Sequence, residues 1–173
     1  MARALAFVLV LALASCGGDA PTELVVVFDS AYAPASPGEP VADDALREVS
    51  LVVRDATDAS AAPWVDLAQV YTEEGAEPPP FSLGLVLERD PPPTVLVELR
   101  ARVGPEDDER VIVLQRETGF VAGATKAVPL LLRASCDGSC GAEETCGEAG
   151  CEPRAVDGEA LEDFSSLEDF TLP

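Results

Sequence analysis

Apolar and polar residues alternate strictly over Thr94–Val103. Val95, Val97, Leu99, Ala101 and Val103 share one face of an extended chain, and Glu98, Arg100 and Arg102 share the other. A period of two marks a β-strand with one face on a core and one in water. Phe81, Leu83, Leu85 and Leu87 alternate in the same way against Ser82, Gly84 and Glu88, and Val49, Leu51 and Val53 against Glu48, Ser50 and Arg54. Seven strands are predicted: Glu23–Phe28, Arg47–Arg54, Val65–Thr72, Phe81–Glu88, Thr94–Val103, Arg110–Glu117 and Thr125–Arg133. Half-buried alternation belongs to antiparallel sheets, whereas parallel strands read as continuous apolar runs.

The connecting segments agree. Gly104-Pro105-Glu106-Asp107-Asp108 has the residues of a hairpin turn, with proline fixing φ and the acids solvated. The prolines at 78–80 and 91–93 stop any helix and extend the chain into the strands that follow. Pro129, inside the last run, marks an edge strand or a bulge. Ala31 to Asp44 is a long loop. The expected fold class is all-β: a single antiparallel β-sandwich of about seven strands over residues 23–133, then a small disulfide-rich segment at 134–153 and a disordered acidic tail at 154–173. Seven strands in this length resemble an immunoglobulin-like or transthyretin-like sandwich. The likeness is architectural and carries no function.

Upstream of the first strand lie one charge at Arg3, an unbroken apolar run from Ala4 to Ala14, and Leu13-Ala14-Ser15-Cys16. The run is too short to span a bilayer and has the layout of a secretory signal. Its ending resembles the lipobox of bacterial lipoproteins. The resemblance implies cleavage of residues 1–15, lipidation of Cys16, and residues 16–22 as a tether. The alternative is an ordinary secretory peptide cut after Ala14. Several acyl chains at ~0.8 kcal/mol per buried methylene hold a protein stably where one is marginal. The expected location is the cell envelope, with the membrane as partner through Cys16. Gly17, where an aspartate would retain the chain at the inner membrane of enteric bacteria, points to the outer membrane.

Composition then removes function classes. With 32 acidic residues, 11 basic ones and a formal charge of −21, the chain is repelled by phosphate backbones, so no nucleic-acid partner is expected. It contains no histidine, so neither a Ser-His nor a Cys-His dyad nor an imidazole metal ligand can form. Paired carboxylates and the single lysine, Lys126, are what remains for catalysis. One Trp and two Tyr give few platforms for stacking sugars.

Cys136, Cys140, Cys146 and Cys151 fall within a short stretch of glycines and acids that cannot build a core and needs covalent staples. The spacing resembles fragments of small EGF-like modules. Two disulfides are expected. Of the three pairings open to four thiols, the interleaved one, Cys136–Cys146 with Cys140–Cys151, ties both rings into one knot. The weaker alternatives are a four-thiolate zinc site and calcium bound by Asp137, Glu143 and Glu144, so neither metal nor cofactor is expected. The tail carries Leu-Glu-Asp-Phe twice, at 161–164 and 167–170. Arg89, Arg100, Arg102, Arg110 and Arg116 lie close together in sequence. If strands align them, Arg100, Arg102, Arg110 and Arg116 form an anion-binding stripe for an acidic glycan; the ordinary alternative is pairing with Glu and Asp across strands. The resulting expectation is a non-enzymatic, lipid-anchored envelope protein with a binding, adhesion or structural role and an envelope protein or glycan as partner. The alternatives are a carboxylate-dependent hydrolase of envelope polymers and an accessory subunit docking through its acidic tail.

Overall fold

The computed structural model describes residues 22–58, 60–86, 94–135, 140–147 and 150–168. Strand dominates, and the sheets are open rather than closed on themselves. In chain order the strands are β1 Glu23–Ser30, β2 Leu46–Asp55, β3 Val65–Val70, β4 Phe81–Val86, β5 Thr94–Val103, β6 Arg110–Gly119, β7 Thr125–Leu132, β8 Glu144–Gly147 and β9 Gly150–Pro153. The first seven match the predicted set to within two residues at each described end, and β5 has the predicted bounds. Leu87 and Glu88, predicted as the end of the fourth strand, lie outside the described residues.

One sheet has the order β4-β1-β7, a second β3-β2-β5-β6, and β8 pairs with β9 in a small third. A single hydrophobic cluster draws on both larger sheets: Leu24, Val26 and Phe28 from β1 and Val128, Leu130 and Leu132 from β7 meet Val49, Leu51 and Val53 from β2, the alternating face of β5, and Ile112 and Leu114 from β6. The period-two faces therefore point where the sequence predicts. Gly104 takes a φ of +93° to start the turn between β5 and β6, and a short 3-10 turn at Glu106–Asp108 completes it.

Three expectations need correction. The sheets are not wholly antiparallel, because β1 runs parallel to β7 over Glu23–Ser30 and Thr125–Leu132. Five strands and their connections between these two provide the long crossover that parallel pairing needs. Leu24 to Phe28 are buried without alternation, as in a strand covered on both faces. Glu98 lies on the outward face with Arg100 and Arg102, as predicted, but is enclosed by its neighbours and only 6% exposed rather than in water. Finally, the tail is not disordered over its described part, 154–168, which pairs with both sheets. Pro129 does sit in an edge strand. The N–H of Ala127, two residues earlier, points away from β1, so the missing N–H of Pro129 falls on the outer side of β7.

Leu99 is fully buried and Val86 is 65% exposed. Leu99→Ala is expected to cost about 2–5 kcal/mol through lost burial and the residual cavity, while Val86→Ala stays within about 0.5 kcal/mol. Urea unfolding of the two variants checks this; equal costs would contradict the assignment of faces.

Candidate functional site

Of the arginines that suggested an anion site, the outward face of the four-stranded sheet carries Arg100 and Arg102, whereas the register sets Arg110 opposite Val103 and Arg116 opposite Val97, on the other face. All four are engaged. Glu98 accepts hydrogen bonds from Arg100 Nε at 2.8 Å, Gln115 Nε2 at 2.7 Å and Arg54 Nη2 at 3.3 Å. Arg102 lies 2.5 Å from Glu109 and 3.5 Å from Glu48, and Arg47 pairs with Glu109 as well. Arg116 pairs with Glu152 and donates to the Pro153 carbonyl. Arg110 stands apart at the loop end, over the Tyr32 ring at 5.8 Å, and donates to the Asp43 carbonyl. Arg100 and Arg102 thus share a face, whereas Arg110 and Arg116 turn to other partners. Arg89 lies outside the described residues.

The cysteine-rich segment folds onto β6. Cys140 is bonded to Cys151, as expected, and Cys146 is also disulfide-bonded. Cys136 and Cys16 lie outside the described residues. β8 and β9 form a hairpin that composition did not announce, with Cys146 opposite Cys151. Buried Thr145 accepts the outward N–H of Gln115 at 2.9 Å. Glu143 lies 3.3 Å from Arg154, and Glu144 accepts the N–H of Gly141, so these carboxylates have local partners. Among the described residues no three His, Cys, Asp or Glu side chains converge to hold a metal ion.

Beyond β9 the chain lies along two sheet edges in turn. The Glu117 N–H donates to the Arg154 carbonyl and the Val156 N–H to the Glu117 carbonyl, each at 2.8 Å, which pairs the edge of β6. A 3-10 turn at Gly158–Ala160 follows. Gly158 rests against the Gly119 carbonyl so closely that a Cβ would collide with it. The chain then reaches β7: Ala127 N–H donates to the Glu162 carbonyl and Phe164 N–H to the Thr125 carbonyl, each at 2.9 Å. Lys126, 9% exposed, donates from Nζ to the Leu161 carbonyl at 3.0 Å and pairs with Asp163 at 2.9 Å. Leu161 enters the main hydrophobic cluster, while Phe164 and Leu167 cover Val25, Val27 and Ala127 on the outer face of the other sheet. The only lysine of the chain is therefore a structural clamp here. The continuous apolar run at Leu24–Phe28 is the signal that could have shown this cover.

The opposite side, between edge strands β3 and β4, is handled differently. Leu67 is 49% exposed there, while Trp64, just before β3, and Val86, on the outward face of β4, are 40 and 65% exposed elsewhere. A groove of about 130 Å³ runs between the strands over Val49, Leu51, Phe81 and Leu83. Beside it Tyr71 is buried; burial and then the charge of Glu77 push its hydroxyl up to about 12.

No protein-family model, curated protein or solved structure matches the chain.

Glu98 is the described carboxylate most enclosed by partners. Burial alone would raise its pKa, but the hydrogen bonds from Arg100 and Gln115 and the charges of Arg100 and Arg54 outweigh burial and hold it below the ordinary 4.5. A carboxyl with a depressed folded pKa stabilises the fold above its unfolded pKa and loses that contribution as pH falls through the folded value. Wild type is therefore expected to melt above Glu98→Gln at pH 7, with the gap closing as pH falls below 4.5. A gap independent of pH would contradict the ion cluster.

Proposed function

We propose that the chain is a non-enzymatic, lipid-anchored cell-envelope protein: a β-sandwich over residues 23–133, tethered through Cys16, with a disulfide-stapled cap and a binding or structural role. The observation that carries this reading is Leu13-Ala14-Ser15-Cys16 at the end of a short apolar run. The oxidised cysteines support it, because disulfides persist in exported proteins and are rare where thiols are kept reduced. A net charge of −21 disfavours attraction to anionic headgroups, so the lipid rather than the protein surface would hold the chain at the membrane. Gly17 favours the outer membrane over the inner one.

A binding role accords with the uneven surface. The arginine face is internally neutralised, whereas the groove between β3 and β4 leaves Leu67 in water beside Phe81 and Leu83. The absence of histidine and the engagement of Glu98, Glu109 and Glu152 by arginines weigh against the carboxylate hydrolase. Docking of the tail on a different, larger partner is disfavoured because at rest Phe164 and Leu167 pack on the chain's own sheet.

Lipidation is tested by Triton X-114 partitioning of protein made in a bacterial host. The wild type is expected in the detergent phase and Cys16→Ser in the aqueous phase. A wild type found wholly in the aqueous phase would overturn the anchor.

A further inference from the structure

The tail holds Leu-Glu-Asp-Phe twice, with the second copy six residues after the first. The first copy is engaged residue by residue, and of the second copy Leu167 packs beside Phe164 on Val25, Val27 and Ala127. At the outer edge of β7 every residue of 161–164 meets a specific demand. Leu161 fills a place in the main cluster and its carbonyl accepts Lys126 Nζ. The Glu162 carbonyl takes the Ala127 N–H. The Asp163 carboxylate answers the Lys126 charge at 2.9 Å. Phe164 donates its N–H to the Thr125 carbonyl and lays its ring on Val25, Val27 and Ala127. Backbone pairing along an edge with pockets for particular side chains is the chemistry of peptide recognition by strand addition. This groove therefore reads a leucine, an aspartate and a phenylalanine at fixed spacing.

The chain supplies two such segments but a single lysine to receive them. The second copy is kept from the groove of its own chain by what precedes the first. Arg154 and Val156 are bonded to Glu117 on β6, and Gly158 is seated against Gly119, so the strand is fixed in place just before Leu161. Sliding the second copy into position would either break those bonds or bulge six residues between Ala160 and Leu167. A neighbouring molecule faces neither obstacle. Its second copy has to give up the packing of Leu167 on its own sheet and meet a groove whose first copy has let go, and Asp163, whose side chain is 86% exposed, is a lightly held part of that first copy.

We propose that the β7-edge groove around Lys126 is a recognition site for extended Leu-x-Asp-Phe segments, closed at rest by residues 161–164 and filled in trans by residues 167–170 of a second copy of this chain. The result is a dimer by tail exchange. Attachment in cis gives the resident segment a high effective concentration, so the intact chain is mostly monomeric at micromolar levels. Weakening the resident segment shifts the balance toward the neighbour. This proposal does not depend on the lipid anchor.

The test uses the full exported chain with Cys16→Ser, which frees it from detergent. Asp163→Asn with Phe164→Ala weakens the first copy while leaving Leu161 in the core. In sedimentation velocity this variant is expected to dimerise with at least a tenfold lower dissociation constant than the parent, with its β-type circular dichroism retained. Adding Asp169→Asn and Phe170→Ala is expected to return it to monomer. A folded first-copy variant that stays monomeric, whether its groove is empty or filled by its own second copy, overturns the proposal. Dimerisation that survives loss of the second copy overturns it too. Should the first-copy variant lose its β spectrum, a fluorescein-labelled synthetic peptide of residues 165–173 is titrated against the Asp163→Asn single variant, whose resident segment lacks its ion pair with Lys126, and followed by anisotropy. Saturable binding weakened at least tenfold by Lys126→Met supports tail exchange. Absence of binding, or binding indifferent to Lys126, overturns it.

Discussion

An open β-sheet leaves a row of N–H and C=O groups unpaired along each edge, and satisfying those groups is as strict a demand as burying the apolar face. Two open sheets present four edge strands, here β3, β4, β6 and β7. The chain meets the demand at β6 and β7 with its own continuation. Residues 154–156 pair with Glu117, residues 162–164 pair with Thr125 and Ala127, and the short 3-10 turn between them carries the chain from one sheet to the other. Lys126 is the pin of this arrangement. A nearly buried ammonium is costly without partners, and Leu161 and Asp163 provide a carbonyl and a carboxylate within 3.0 Å.

The same continuation explains why β1 can be apolar without alternation. Its inward residues, Leu24, Val26 and Phe28, serve the core between the sheets. Its outward residues, Val25 and Val27, would face water were they not covered by Phe164 and Leu167. Burial on both faces of β1 is thus a property of a segment more than a hundred residues away. The cysteine-rich segment plays a related part beside it, where buried Thr145 satisfies the N–H of Gln115 on β6 and Arg116 reaches back to Glu152. Among the described residues the large apolar side chains left in water are Trp64 and Leu67 at β3, Val86 on the outward face of β4, and Val111 and Val113 on β6.

Much of the strand framework was legible because the period-two pattern is local: the alternation from Val95 to Val103 requires no knowledge of any partner. Strand direction was not legible, since Leu24 to Phe28 announce burial on both faces without saying what covers them or which way a neighbour runs. Glu98 looked wet because the groups that enclose it, Arg54 and Gln115, come from strands on either side of β5 and are distant in sequence. The tail looked disordered because acidic composition dominates it, whereas what orders it, backbone bonds to β6 and β7 and the seating of Leu161, Asp163, Phe164 and Leu167, depends on strands distant in sequence. The four arginines were identifiable as a group, but their carboxylate and carbonyl partners are set by register and loop path. Cysteine spacing indicated staples, and Cys140–Cys151 is one of them.

The ordered tail is the claim on which this account turns, and amide hydrogen exchange on the intact oxidised chain tests it most directly. The N–H groups of Glu117, Ala127, Val156 and Phe164 are each donated to a backbone carbonyl across the junction between tail and sheets. Slow exchange at all four, with Lys126→Met accelerating Ala127 and Phe164 more than Glu117, is the predicted result. Exchange at unprotected-peptide rates from residue 154 onward, with the core strands still protected, would contradict it.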